Sequence, residues 1–230
     1  MVERGLPARL WVIVAAYNEA AAIARVVTDL KRDRYQVVVI DDGSTDGTAQ
    51  IASAAGATVI KHPLNLGQGA ALQTGIDYAL SQAAEAVVTF DADGQHRASD
   101  INCLLEALDR ERAEFVLGSR FLGHSPNLPP LRRLLLRAAT LFTHLTTGLV
   151  LTDTHNGLRA MTRRGAQAIR LRQNRMAHAS EILGQIAASG LRYVEVPVTI
   201  EYTAYSLAKG QRMGDSVMIL FDLFARRLYR

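Results

Sequence analysis

Five short apolar runs rich in β-branched residues punctuate the first half of the chain: LWVIVAAY (10–17), YQVVVID (35–41), ATVIK (57–61), EAVVTFD (85–91) and AEFVLGS (113–119). Their apolar content is continuous rather than alternating, which predicts strands covered on both faces. Between them lie helical stretches beginning near Glu19, Asp46, Gly67 and Ser99, with Ser99 or Asp100 as the cap of the last. Alternating strands and helices predict an α/β fold with a Rossmann-like, mostly parallel sheet flanked by helices.

After Arg120 the pattern changes. A Pro-containing loop, HSPNLPP, leads into an Arg-rich amphipathic helix from Leu131. A short THNGLRAM element and helices over 163–172 and 179–189 follow, predicted as an acceptor-side layer. A final strand, LRYVEVPVTIEY, precedes the polar loop YSLAKGQRMGD and an amphipathic helix from about Ser216 to Leu228. The expected organisation is one domain over 1–230: a nucleotide-binding half to residue 120, an acceptor half over 121–204, and a closing loop and helix over 205–230.

Composition narrows the class. With 49% hydrophobic residues and six prolines among 230, the chain has the make-up of a globular protein. Cys103 is the single cysteine, so no intrachain disulfide can form, and a reducing cytoplasm is the expected compartment. The first apolar run is too short for a signal peptide, and the window from Ala138 to Leu151 is broken by His144, whereas a bilayer span takes roughly 20 apolar residues. No transmembrane helix is predicted. The net charge of +4 is unevenly spread: arginines gather between Arg120 and Arg175 and at Arg226, Arg227 and Arg230. Such charge suits a polyanionic partner without fixing the fold.

Ligands of open α/β sheets bind beyond the carboxyl ends of the strands, and every chemistry-bearing motif falls there. Asp91-Ala92-Asp93, followed by Gly94, Gln95 and His96, places two carboxylates at a strand end where they can converge on one hard cation and, through it, a diphosphate. Asp41 and Asp42, in IDDGSTDGT, are a second acidic pair at a strand end, with Asp46 positioned to cap the next helix. Asn65 to Ala71 opens a helix with Gly67 and Gly69, a geometry that lets backbone amides approach a phosphate; Leu72 excludes a GxGxxG fingerprint. The six histidines lack the spacing of a metal motif such as HExxH. A sugar nucleotidyltransferase would carry a Gly-rich, Arg-containing loop where AAYNEAAAI stands. A receiver module would use Asp41 and Asp42 but leave DADGQH unexplained.

AAYNEAAAI, VIDDGSTDGT, NLGQGAALQTGI and FDADGQH, in this order and spacing, resemble family 2 glycosyltransferases of the GT-A fold, and DADGQ resembles their polyprenyl-phosphate hexosyltransferase branch, dolichyl-phosphate mannose synthases included. The likeness continues through GSRF, DTHNGLRAM, the helix containing Glu181, and VEVPVTI. It implies that Ala15, Tyr17 and Glu19, with Asp41 or Asp42, hold the nucleoside of a UDP- or GDP-sugar. Gly69 and Asp91 border nucleotide and ribose, Asp93 and Gln95 face Mg²⁺ or Mn²⁺ and the diphosphate, and Arg120 with Arg132 or Arg133 faces an acceptor phosphate. Gln68 stands where the family frequently has Lys or Arg. YTAYSLAKGQ replaces the family's RxGxSK, with Lys209 and Arg212 left to meet the diphosphate. The implied partners are a nucleotide sugar, a polyprenyl phosphate or lipid-linked acceptor, and the inner membrane face, approached peripherally, alone as a homo-oligomer or with a membrane-anchored subunit; no nucleic acid is implied. Transfer to a phosphate needs no general base. Transfer to a glycan hydroxyl would need one, and Glu181 or Asp153 are the carboxylates for it, although Asp153 is better suited to orient an arginine.

Overall fold

A computed structural model describes residues 9–126, 128, 130–173 and 177–202. Seven strands form one sheet: β1 (Leu10–Ala16), β2 (Gln36–Asp41), β3 (Thr58–Lys61), β4 (Ala86–Asp91), β5 (Phe115–His124), β6 (Arg159–Thr162) and β7 (Tyr193–Thr199). The helices are α1 (Ile23–Arg32), α2 (Thr48–Ala54), α3 (Gln68–Ser81), α4 (Asp100–Arg110), α5 (Pro130–Thr147), α6 (Arg163–Ala168) and α7 (Ala177–Ser189). The order is β3-β2-β1-β4-β6-β5-β7, and only β6 runs against its neighbours. The five runs of the first half are all strands, and the expected α/β sheet is present.

Continuous apolar runs are needed because both faces are covered. Val12, Val14, Val37, Val39, Val88 and Phe90 pack with α1 and α4 on one face. Trp11, Ile13, Val38, Ile40 and Val87 pack with α3, α6 and α7 on the other.

Part of the THNGLRAM element joins the sheet. Its Arg159–Thr162 stretch is β6, inserted between β4 and β5, with Arg159 opposite Thr89 on one side and Leu117 on the other. Ala160 and Met161 face opposite cores, so four residues suffice to bury a strand on both faces without any legible period. Chain order therefore does not split the sheet at residue 120.

Several helix boundaries also move. α1 starts at Ile23 rather than near Glu19, whose carbonyl instead accepts from the N–H groups of Ala22 and Ile23. Ser99 occupies the cap position of α4 without a side-chain cap bond, and the Asp100 carboxylate pins β7 by accepting from Thr199 N at 2.7 Å. The helix expected over 163–172 ends at Ala168, where Ile169 turns extended. The polar loop beyond Tyr202 and the final helix, with Lys209 and Arg212, lie outside the described residues. Among the described residues, no helix is long and apolar enough to cross a membrane.

Gly75 on α3 shows how tightly the helix layer sits. A Cβ there would run into the side chain of Ile13, which is fully buried in β1. Alanine at a helical glycine normally stabilises by about 1 kcal/mol. Here overpacking reverses the sign, and Gly75→Ala is expected to destabilise by about 1–3 kcal/mol, read as a lowered midpoint in thermal denaturation.

Candidate active site

The tip of β1 brings the two acidic motifs together. Ala15 stands opposite Asp91 of β4, and Ala16 opposite Asp41 of β2. Alanine at both places leaves the crevice between the strand ends open, with Tyr17 45% exposed above it and Glu19 buried beside it. The turn after β2 is tied to the first loop: Asn18 N donates to Ser44 Oγ, Thr45 N to Asn18 Oδ1 and Glu19 N to Thr48 Oγ1. Asp46 belongs to the same lacing. It accepts from Thr48 and from Ala20 N, while the cap position of α2 is held by Gly47.

Asp41 and Asp42, interchangeable on sequence, have different tasks. Asp42 accepts from Leu66 N at 3.0 Å and Gly67 N at 2.7 Å and bonds His62 Nδ1 at 2.8 Å, while His62 Nε2 meets Thr74. Its carboxylate shapes the loop before α3. Asp41 is fully buried; Oδ1 accepts from Ser44 N, and Oδ2 has no hydrogen-bond partner. A buried acceptor left unpaired is costly in a folded chain, so Asp41 is the aspartate with an atom to offer a ligand. At Gly69 a Cβ would strike the Gln173 carbonyl and His178, so the glycine makes room for the segment leading to α7.

Asp91 and Asp93 are held apart in character. Asp91 Oδ2 bonds His96 Nε2 at 2.9 Å, and Gln68 Nε2 approaches Oδ1 at 3.5 Å. Burial works to raise its pKa, but the His96 bond and the charges of His96, Arg159 and His178 hold it below the usual carboxylate range. Asp93 is pushed up to about 6, by burial first and then by the neighbouring charge of Asp91. Its Oδ1 accepts from Gln95 N at 3.0 Å, closing a tight turn through Gly94, whose φ is +73°. Arg25 of α1 donates to the Gly94 carbonyl at 3.0 Å and steadies that turn.

Such a site suits a hard divalent cation: it offers carboxylate oxygen donors, and burial together with the charge of Asp91 outweighs the charge of His96 and disfavours ionised Asp93 until a cation compensates it. Cations of this kind are commonly held by one or two carboxylates together with substrate phosphates. Asp93 would hold it, with Gln95 alongside.

On the other side of the sheet end, Arg120 is buried and fully engaged. Nε donates to Asp153 Oδ2 at 2.6 Å, one terminal nitrogen to Tyr202 Oη at 2.8 Å, and the other to the His155 carbonyl. Burial works to lower the Arg120 pKa, and Asp153 and Tyr202 together more than restore it. Asp153 is thus the orienting residue, its other oxygen accepting from His155 N. Burial pushes His155 down to about 4, so it is neutral near pH 7. Arg120, Arg133 and Arg137 border a cavity of ≈ 470 Å³ completed by Gly123, His124 and Ser125. Arg132 turns away and stacks on the Tyr202 ring at 5.2 Å, so Arg133 is the one of the pair that faces the cavity.

Glu181, a candidate base, is neither free nor in this cavity. Both its oxygens accept from backbone, from Arg172 N at 3.0 and 3.1 Å and Gln173 N at 2.9 Å. Its carboxylate organises the loop before α7.

The family description Glycosyl transferase family 2 matches residues 11–170, the span that builds both sides of this crevice. The chain belongs to glycosyl transferase family 2. Among relatives of this family 2 enzyme, a UDP-N-acetylglucosamine–dolichyl-phosphate N-acetylglucosaminyltransferase of Methanococcus voltae is 32% identical over 95% of this chain and 94% of its own. An undecaprenyl-phosphate mannosyltransferase of Micrococcus luteus is 30% identical over 83% of each chain. The fold matches the glucosyl-3-phosphoglycerate synthase of Mycobacterium tuberculosis, crystallised with Mn²⁺ and UDP-glucose, at a TM-score of 0.68 and 22% identity, covering 94% of this chain and 78% of that one.

Sequence reasoning did not assign His62, Tyr202, Arg25 or Arg159. His62 and Tyr202 act through partners 20 and 82 positions away, a distance no local motif spans.

Asp93 gives the site a pH signature. Its folded value of about 6 lies above the ordinary 3.8, so the stability gained from the neutral acid is complete below about pH 4 and is lost as pH rises through 6. A cation binds the ionised form, so the rise in melting temperature on adding Mn²⁺ is expected to be small at pH 5 and larger at pH 7.5. Asp93→Asn is expected to flatten that dependence, measured by thermal shift across the pH range.

Proposed function

We propose that this family 2 glycosyltransferase moves a hexose from a UDP- or GDP-sugar to the phosphate of a polyprenyl phosphate at the cytoplasmic membrane face. The observation that carries the reading is a contrast between the acceptor-side carboxylates and arginines. Glu181 and Asp153, the carboxylates considered as bases, are both committed to hydrogen bonds, as is Arg120, whereas Arg133 and Arg137 border one open cavity. Arginine clusters suit phosphate recognition. The acceptors named for the Methanococcus and Micrococcus relatives support the same choice.

The donor lies across the tips of β1, β2 and β4, with Asp41 Oδ2 offered to the nucleoside and Tyr17 beside it. A bound Mg²⁺ or Mn²⁺ supplies neutralisation of the diphosphate charge. An oxygen of the acceptor phosphate, held by Arg133 and Arg137, forms a bond to the anomeric carbon from the face opposite the diphosphate. The bond from that carbon to the diphosphate oxygen breaks, and its electron pair leaves with the nucleoside diphosphate. Configuration inverts, and the acceptor is already anionic, so no proton is abstracted.

The outer face of α5 supports work at a bilayer. Leu131, Leu134, Leu141 and Leu145 recur three, seven and four residues apart on one side, each at least 53% exposed, with Arg133 and Arg137 flanking them. A basic amphipathic face of this kind settles in the interface of anionic membranes. Leu134→Glu with Leu141→Glu is expected to abolish sedimentation with vesicles rich in phosphatidylglycerol while leaving the melting temperature unchanged.

Transfer of label from UDP-glucose, UDP-N-acetylglucosamine and GDP-mannose to undecaprenyl phosphate, with Mn²⁺ or Mg²⁺, tests the reaction. Label entering the organic phase, and lost in Asp93→Ala, is the expected result. Glu181→Gln is expected to lower the melting temperature yet keep transfer within about tenfold of wild type. A loss in the 10²–10⁴ range of a missing general base, with folding intact, would instead point to a hydroxyl acceptor.

A further inference from the structure

Arg159 opens β6 and is 4% exposed, yet its guanidinium makes no hydrogen bond and no ion pair within 4.0 Å among the described residues. Leaving a cation buried and unpaired costs several kcal/mol, and buried polar groups are otherwise almost always satisfied. The fold does not need the charge to close the strand, since β6 is held by backbone pairing to β4 and β5.

Its position explains why the charge is kept. The register with Thr89 puts Arg159 on the same sheet face as Asp91, two residues further along β4. Asp91 on the donor side and Asp153 on the acceptor side both act on it electrostatically. Neither forms an ion pair with it within 4.0 Å. Asp91 is engaged by His96 and Gln68, and Asp153 by Arg120 and His155 N. A planar fork of donors therefore sits at the seam between the two halves with its hydrogen bonds unclaimed, and a phosphate oxygen is the group that geometry accepts in pairs.

We propose that Arg159 is a catalytic residue whose guanidinium binds a phosphate oxygen of a bound substrate at the seam between donor and acceptor. The phosphate chemistry of this assignment rests on the reading under Proposed function. The oxygen belongs either to the donor's diphosphate, where negative charge grows as the glycosidic bond breaks, or to the attacking acceptor phosphate.

The test uses the full chain with Arg159→Met, which keeps length and removes charge, and Arg159→Lys, which keeps charge and removes the fork. A scaffold residue and a ligand-binding residue differ in sign. Arg159→Met is expected to leave the melting temperature unchanged or raise it, while kcat/KM falls roughly 100-fold or more, the scale of losing one preorganised donor to developing charge. Arg159→Lys is expected to recover only part of that rate. Calorimetric titration of UDP and GDP with Mn²⁺ separates the sources: weakened binding assigns the oxygen to the donor, whereas unchanged binding with a raised KM for undecaprenyl phosphate assigns it to the acceptor. Unchanged kcat/KM in Arg159→Met overturns the inference, whatever the melting temperature does. Should stability and rate fall together, Arg159→Ala with millimolar guanidinium decides: recovered rate without recovered stability supports the assignment, and no recovery overturns it. If the wild-type protein transfers to no polyprenyl phosphate, the acceptor reading fails on its own. In that case, unchanged diphosphate affinity in Arg159→Met overturns the present inference as well.

Discussion

The insertion of β6 between β4 and β5 is the constraint on which both halves of the site depend. The turn into β6 presses Gly157 against the Asp91 carboxylate, where no Cβ fits, and Thr89 Oγ1 fixes the turn by donating to the Gly157 carbonyl at 2.6 Å. The same few residues carry Asp153, which holds Arg120. One reversed strand thus sets the spacing between the Asp91 carboxylate and Arg120, which a parallel neighbour arriving from the far end of the sheet would not do.

Charge in this crevice is arranged so that some groups are spent and some are kept. Asp42, Asp153 and Glu181 give their oxygens to the protein's own loops, and each guanidinium nitrogen of Arg120 donates to the protein, to Asp153, Tyr202 and the His155 carbonyl. Breaking such a buried pair by removing one partner costs about 3–5 kcal/mol, so these residues make the walls rigid. Asp41 Oδ2, Asp93 and the cavity face of Arg133 and Arg137 remain for ligands. Preorganisation of this kind lets a site bind charge without rearranging at the moment of reaction.

α5 joins the chemistry to a surface. Its inner side buries Ala139 and Thr143, the helix packs on α7, one flank offers Arg133 and Arg137 to the cavity, and the outer side is leucine. A lipid lying along that leucine face would bring its phosphate to the arginines on the same helix.

The strands, the strand-end motifs and the family were legible in the sequence because each is local. An apolar run buried on two faces, or DADGQH at the end of one, is written in consecutive residues. Whether Asp41 or Asp42 keeps a free oxygen was not legible, since the answer lies in Leu66, Gly67 and His62, brought back by a parallel strand pairing. Glu181 looked like a base because nothing nearby in sequence claims it; the amides that do claim it belong to a loop folded onto α7. β6 is four residues long, too short for any period, and its reversed place in the sheet follows from packing on both cores. Sequence determined which chemical groups stand at the strand ends; tertiary structure decided which of them are occupied, because hydrogen-bond partners are chosen by proximity in space.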